Sequence, residues 1–412
     1  MGKLTFRDIF WRIVVYFVLA GFAFLMIFPF LYMISTSLKT TMDVFNVPPR
    51  LLPYSAETVT VDDEERTLYN IEVDGITYQM VKTDDRQPFS FYTTEDLINR
   101  DNHRNSEILV QQERDAAVET GEIVTLMMND GREREFDVYD VTVEGETQQL
   151  LLAYNSTLNL YVVPDNPEIS TYVAPNDPVE YVEFQWENYQ YVFGLNPEVL
   201  QLDRAFVNTT LVTVLVVAGQ LITSIFGGYA FSRVRFRGRD ALFLVYLGSI
   251  MIPFIVLIIP IFRLMVILGW DGQLASLIIP WIFTAYGTFL MRQFFIAIPI
   301  EIEEAALMDG ASRMRILWTI FVPLSRPAIA TLAIFSFLYA WNSFLWPLLI
   351  IGEGTVSNHV LTLALIRLTN SFQNEPNVVL TGAAIAIIPP MIVFVMAQKY
   401  FIEGVATSGL KG

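Results

Sequence analysis

Long apolar runs separated by polar and basic segments dominate the pattern of this chain. They cover residues 13–34, 205–231, 241–264, 274–298, 327–351 and 378–401. Each is close to the ~20 residues that take an α-helix across the hydrocarbon core, so the pattern predicts six transmembrane helices. Prolines 29, 253, 260, 280, 389 and 390 fall inside these runs, as membrane helices tolerate when the freed backbone groups find partners. The first run is too long for the apolar region of a cleaved signal, and no small-residue cleavage site follows it. Residues 35–53 read as an exit segment, where Asp43-Val44-Phe45-Asn46 and Pro48, Pro49 and Pro53 break any helix.

The pattern changes between residues 54 and 183. Period-two alternation appears near 58–61, 69–82, 135–147 and 159–163, with turn pairs Asp74-Gly75, Asp130-Gly131 and Glu144-Gly145. Residues 94–119 are polar and read as more helical, with T-E-D at 94–96 as a cap and Ile98, Ile108, Leu109 and Val110 as a weak apolar face. The stretch predicts a small β-rich α+β domain, large enough for its own core. The expected organisation is 1–53 (N-terminus, first helix, exit segment), 54–183 (insert) and 184–412 (membrane core), with a loop at 299–326.

Composition agrees with a membrane protein: 53% hydrophobic, 17% charged, mean hydropathy +0.43. The net charge of −17 is unevenly distributed. Residues 54–183 hold 29 of the 43 acidic residues and 8 of the 26 basic ones, net −21, leaving +4 for the rest. An acidic surface of this kind argues against nucleic acid as partner. Arg233, Arg235, Arg237 and Arg239 read as a positive-inside anchor rather than a nucleic-acid patch. With Lys3, Arg7, Arg12, Arg292, Arg313, Arg315, Arg326, Lys399 and Lys411, against Arg263 and Arg367 in the short outer loops, they put both termini in the cytoplasm and the insert outside.

Catalytic chemistry is not visible. Cysteine is absent and the two histidines, His103 and His359, lie far apart, which removes thiol catalysis and Cys- or His-rich metal sites. No phosphate-binding G-x-x-x-x-G-K-[ST] occurs, nor H-E-x-x-H or G-x-S-x-G. The pairs Asp62-Asp63-Glu64-Glu65 and Asp84-Asp85 read as solvated loops, with a calcium site as the alternative. Ionisable residues are almost missing from the spans, against proton-coupled transport. The spans instead carry Asn208, Gln220, Tyr229, Tyr246, Tyr286, Tyr339, Trp341, Asn342 and Trp346. Such groups bind sugars by stacking and hydrogen bonds, or serve helix packing. Tyr339, Trp341, Asn342 and Trp346 are the candidate pathway residues.

One polar segment stands between two apolar runs: Glu304-Ala305-Ala306, three residues, Gly310, nine residues, then Ile320-Phe321-Val322-Pro323. Glu and Ala favour a helix start, Gly310 permits a turn, and Pro323 and Pro327 mark a new helix. This spacing resembles the E-A-A-x3-G-x9-I-x-L-P loop of permease subunits of binding-protein-dependent ABC importers, with Val322 at the family's leucine. W-N-S-F-L-W-P-L at 341–348 and the tail at 401–412 are similar to the carbohydrate branch, particularly the smaller maltose-type permease, as is Trp186-Glu187-Asn188-Tyr189. The resemblance covers about 1–53 and 184–412.

The resemblance implies the six-helix permease fold, in a multi-pass protein of a bacterial-type plasma membrane. It implies import of a carbohydrate, and no enzyme activity or bound cofactor in this chain, since ATP and Mg belong to partner ATPase subunits. Two such subunits, a second permease and an extracytoplasmic sugar-binding protein are the implied partners. Glu304, Ala305, Ala306, Gly310, Ile320 and Pro323 would form the ATPase-docking loop. A secondary transporter would call for buried charges or an internal repeat, and neither is evident. A membrane-anchored receptor working through the insert would need no such loop. For the insert itself, docking of the binding protein, packing on the partner permease and mere shielding of the surface with no specific role remain open.

Overall fold

The computed structural model describes residues 6–73, 75–143, 145–174, 178–194, 200–352 and 356–409. Lys3, Asp74, Glu144 and Lys411 lie outside them, as do the side chains of Arg7, Lys399 and the 401–412 tail. The chain divides into two compact units, Met1–Pro53 with Phe184–Gly412, and Tyr54–Glu183.

The first unit is helical. A long α1 (Phe6–Ser37) continues through Pro29. One further turn, α2 (Thr41–Val44), follows, because the Thr40 hydroxyl accepts a hydrogen bond from the Asp43 N–H at 3.3 Å. This corrects the expectation that residues 43–46 break any helix. Beyond the insert come α3 (Glu187–Gly194), α4 (Leu202–Arg233), α5 (Arg239–Gly248), α6 (Phe254–Ile267), α7 (Ala275–Ile278), α8 (Ala285–Ala297) and α9 (Ile300–Met308). They are followed by α10 (Arg313–Ile316), α11 (Val322–Leu324), α12 (Arg326–Trp341), α13 (Leu345–Ile350), α14 (Leu361–Ser371) and α15 (Pro376–Gly409).

Among the described residues, three helical stretches are long and apolar enough to cross a membrane: Ile9–Ser37, Leu202–Arg233 and Pro376–Gln398. Three bent pairs raise the number to as many as six. They are Arg239–Met251 with Phe254–Ile267 (98°), Ala275–Ala297 with Ile300–Met308 (78°) and Arg313–Leu324 with Arg326–Trp341 (80°). The apolar run at 241–264 is therefore bent inside, whereas the other two bends fall at 298–299 and 325, at the edges of the runs 274–298 and 327–351, which are interrupted within at 282–284 and 342–344. At the first break, Pro253 pushes Ile252 into extended backbone (ψ 114°). Between α7 and α8, inside the first member of the second pair, side chains of α4 take up the freed carbonyls: Gln220 Nε2 donates to Trp281 O at 2.8 Å and Thr223 Oγ1 to Ile282 O at 2.6 Å. Irregular backbone at membrane depth needs such internal partners.

The second unit is a β-sheet domain. Its chain enters on β1 (Tyr54–Ala56) and leaves on β10 (Glu180–Val182), which pair antiparallel, Tyr54 opposite Val182 and Ala56 opposite Glu180. Between them lie β2 (Thr58–Val61), β3 (Glu64–Val73), β4 (Ile76–Thr93), β5 (Val110–Glu113), β6 (Val118–Met127), β7 (Glu133–Val143), β8 (Glu146–Val163) and β9 (Asn166–Val173). The sheet order is β2-β3-β4-β8-β7-β6, with β5 on β4 and β9 on β8. Residues 94–119 do not form the expected α-helix. Short side chains there bond the backbone instead: Asn99 Oδ1 accepts from Asp101 and Asn102 N–H, and Ser106 Oγ from Asn99 N–H. Such local bonds compete with helix formation; the segment holds two single 3-10 turns and β5. The acidic runs are explained as well. Asp62 and Asp63 (φ 53° and 66°) make the two-residue turn joining β2 to β3, and Asp84-Asp85 sits where the β4·β8 register shifts.

This domain is an internal duplication, absent from the reading of the sequence above. The segments Y-N-I-E-V-D-G-I-T-Y-Q from Tyr69 and Y-D-V-T-V-E-G-E-T-Q-Q from Tyr139 agree at five of eleven positions with a shift of 70. The same shift exchanges the central pairs of β4·β8: Gln87–Leu158 becomes Pro88–Thr157, and Arg86–Asn159 becomes Phe89–Ser156. A pseudo-two-fold axis therefore passes between these pairs and relates β2–β5 to β6–β9. Two of its small cores match as well, with Ile71, Met80 and Tyr161 in one and Val141, Leu150 and Tyr92 in the other. Each contains a packed tyrosine pair, Tyr69–Tyr161 and Tyr92–Tyr139, with ring centroids 5.2 and 5.5 Å apart.

Because Ala56 and Glu180 are direct cross-strand partners, replacing residues 57–179 by an Asn-Gly turn should close a two-residue hairpin. The helical unit should then accumulate in membranes as the intact chain does, with an equally symmetric size-exclusion peak. An aggregated product would show that its folding depends on the insert.

Candidate functional site

The E-A-A segment lies on α9, which opens at Ile300 after Pro299. Glu304-Ala305-Ala306 therefore sit in its second turn rather than at its start. Glu304 and Ala305 are exposed and Ala306 is half-buried. Apolar side chains share the open surface: Met308 is 89% exposed, with Ile300, Ile302 and Leu307 above 40%.

The end of α9 is fixed by two backbone bonds. Gly310 N–H donates to Leu307 O and Ala311 N–H to Ala306 O, each at 3.0 Å. Gly310 has φ +77°, so the pattern is the Schellman cap, whose left-handed residue is most often glycine. A Cβ at Gly310 would meet no atom of this chain within 4 Å. The glycine is required by backbone conformation and not by crowding within the chain.

The next helix is one run of three forms. Ser312 caps α10, residues 317–321 form a π-helical turn, and α11 carries Pro323. Pro323 thus lies within the run and does not begin a helix, as the sequence suggested; Pro327 does stand in the first turn of α12. Proline has no N–H for the usual i−4 carbonyl, and the wider π turn ahead of it accommodates the gap. Ile320 and Pro323 are half-buried, and Ile320 packs with Ala306 on a core of Ile225, Tyr229, Met291, Phe295, Ile316 and Phe321.

Sequence reasoning missed the buried polar centre beneath α9. Glu303, next to Glu304, is 5% exposed, and its carboxylate faces Arg233 at 3.6 Å and the Tyr229 hydroxyl at 3.4 Å. Arg233 is therefore more than one member of a positive-inside cluster. Arg292 is also engaged, 3.7 Å from Asp240 and over the Phe243 ring at 4.2 Å. The signal available in the sequence was the position of Arg233 as the first basic residue after an apolar run.

Three of the four candidate pathway residues, Tyr339, Trp341 and Trp346, line one small cavity together with Thr209, Trp281 and Ser343, and Asn342 lies outside it. Trp341 is 4% exposed, stacked on Phe337, with its indole N–H donated to Ala386 O. Trp346 is 3% exposed and donates to Ser276 O. Asn342 is exposed and bonds Leu338 O. Tyr339 is exposed and lines a cavity of about 630 Å³ together with Gln220, Trp281, Tyr286, Phe335 and Ser336. Ser336 donates to Gln220 Oε1 at 2.5 Å there.

Residues 220–407 match the family model described as the binding-protein-dependent transport system inner membrane component. The arabinooligosaccharides transport system permease protein AraQ of Halalkalibacterium halodurans is 35% identical over 207 residues, 50% of this chain and 74% of the relative. The chain belongs to this transport family. The sn-glycerol-3-phosphate transport system permease protein UgpE of Rhizobium meliloti is 34% identical over 205 residues, 50% of this chain and 73% of the relative. Among solved structures, one described as a bacterial ABC transporter involved in the import of the acidic polysaccharide alginate is 28% identical. It covers 53% of this chain and 81% of that one, with a TM-score of 0.48. The chain is thus an inner-membrane transport component, and its family is one of permeases rather than catalytic enzymes.

Proposed function

We propose that the chain is the transmembrane permease subunit of an ABC importer for a carbohydrate, working with a second permease, two ATPase subunits and an extracytoplasmic binding protein. The observation that carries this reading is α9: a short capped helix presenting Glu304, Ala305 and an apolar rim, buried beneath by a single carboxylate. An exposed helix with an acidic residue and unburied Met308 and Leu307 suits a protein partner better than solvent. Docked ATPase subunits closing on ATP would move it as a rigid body and turn the spans between two states.

On this reading the three long helices and the three bent pairs make six crossings, both termini are cytoplasmic and the insert is extracytoplasmic. A carbohydrate is the substrate class favoured by the names of the relatives and by the cavity where Trp281, Tyr286 and Tyr339 accompany Gln220 and Ser336. Aromatic rings and amides supply the stacking and hydrogen bonds that sugars require.

Glu304→Ala tests the docking surface. Loss of a charge-assisted hydrogen bond costs about 1.5–3 kcal/mol, so ATPase retained in a pull-down at limiting concentration should fall about ten-fold, and sugar uptake with it. Undiminished retention and uptake would remove Glu304 from the interface.

A further inference from the structure

We infer that Arg233, Glu303 and Tyr229 form the mechanical link through which α9 moves α4, making them positioning residues for transport. The inference rests on the permease reading and deepens it.

Of the nine residues of α9, Glu303 is the one whose side chain is buried. Apart from the half-buried Ala306, this carboxylate is what α9 sends into the bundle. It meets Arg233, the last residue of α4, at 3.6 Å, with 7% of each side chain exposed. The same guanidinium donates to Phe295 O at 2.5 Å and to Ile298 O, the two carbonyls at the end of α8. It also lies over the Phe321 ring, 5.0 Å from the centroid. Tyr229, one turn earlier on α4, donates to Glu303 Oε1, and its ring packs edge-on against Phe295 and Phe321 at 6.4 and 5.2 Å.

One arginine therefore gathers four elements: the end of α4, the last carbonyls of α8, the carboxylate of α9 and the π turn that precedes Pro323. Arg fits this role because its planar fork offers several donors in fixed directions, which a lysine ammonium does not. A buried charge pair has a steep distance dependence and no water to replace a lost partner. If α9 shifts, α4 must follow or the pair is separated in a desolvated pocket. Apolar packing alone would let the helices slide, and the pair removes that freedom. Gly227, Gly228 and Ser224, one to three turns along α4, then pass the motion to α8, where they touch Thr288, Met291 and Gly287.

The test uses the assembled transporter in vesicles, with substrate transported per ATP hydrolysed as the readout. That ratio does not change when a variant merely lowers the amount of folded complex. Glu303→Gln keeps size and hydrogen bonding but loses the charge, and Arg233→Lys keeps the charge but loses the fork. Each should assemble with the ATPase and lower the ratio about ten-fold, with ATP hydrolysis continuing. Wild-type ratios in both would overturn the link. If either fails to assemble, Tyr229→Phe, which deletes one hydroxyl, carries the test: a ratio lowered about three-fold supports the link, and a wild-type ratio overturns it. Failure of the wild-type chain to bind any ATPase would instead reject the permease reading.

Discussion

Gly228→Val should abolish accumulation of the folded chain, and Gly228→Ala should already lower it. Where α4 crosses α8, the two backbones are in contact. A Cβ on Gly228 would lie 2.6 Å from Met291 Cβ and 3.0 Å from both Met291 C and Arg292 N. Backbone atoms cannot rotate aside, so the helices must separate. Neighbouring positions leave no slack: a Cβ on Gly227 would approach Thr288 Cγ2 to 2.9 Å, and one on Gly219 would approach Ile282 Cγ2 to 2.5 Å. Small residues hold membrane helices together by allowing this approach, since lipid offers no hydrophobic force to bring them together. Overfilling a packed contact costs about 1–3 kcal/mol, and prying α4 from α8 would also break the core of Ile225, Met291 and Phe295. Gly21→Ala is the control, because a Cβ there meets nothing within 4 Å. Size-exclusion profiles of detergent-extracted protein should show a normal peak for Gly21→Ala, a reduced one for Gly228→Ala and none for Gly228→Val. A normal peak for the valine variant would mean that the two helices are not in contact in the membrane.

The membrane part was legible in the sequence to the extent that bilayer thickness dictates it. Runs near twenty apolar residues marked where the chain is apolar, and the E-A-A spacing marked α9. What the runs did not show was the bending at Ile252-Pro253, or the break around Ile279–Trp281, which α4 side chains stabilise from more than fifty residues away. In the insert, turn pairs and alternation located the hairpins. The eighteen-residue length of β4 was hidden by T-D-D-R-Q-P, which reads as a loop. The duplication was hidden because its two halves differ in their connections: β4 reaches β5 across residues 94–109, whereas β8 reaches β9 by a two-residue turn. In the candidate site, exposed Glu304 was read from its motif, whereas its neighbour Glu303 was invisible. A buried ion pair between residues 70 apart leaves no periodic trace; only the fold brings Arg233 beneath α9.

Lys39→Met should destabilise the helical unit by about 3–5 kcal/mol, the usual cost of breaking a buried ion pair by removing one partner. Lys39 and Asp43 are 3.3 Å apart with 1% and 2% of their side chains exposed, and Lys39 Nζ also donates to Arg50 O at 2.7 Å. They sit where α1 ends and its last carbonyls lack helical partners. Side chains from two distant elements supply those partners. Asn188 Nδ2, on α3, donates to Ser37 O and Lys39 O, each at 2.9 Å. On α15, Thr381 Oγ1 donates to Ser37 O at 3.0 Å and Asn377 Nδ2 to Lys39 O at 3.3 Å. The ion pair holds the backbone at 37–43 in the path that accepts all four bonds. Methionine fills the space of the lysine stem but takes the Lys39 ammonium away from the buried Asp43 carboxylate, whose Oδ1 also accepts from the Asn46 amide at 3.2 Å. The double variant Lys39→Met with Asp43→Leu removes both charges, and replacing a whole buried pair with apolar groups is often neutral. It should recover most of the loss, a coupling that a double-mutant cycle reads directly. The measurement is the unfolding midpoint of the purified complex in detergent or nanodiscs. A strongly lowered midpoint in Lys39→Met with recovery in the double variant supports the arrangement. Equal loss in the single and double variants would show that the bonds to Arg50 and the α1 terminus, rather than the buried charge pair, hold this corner of the molecule.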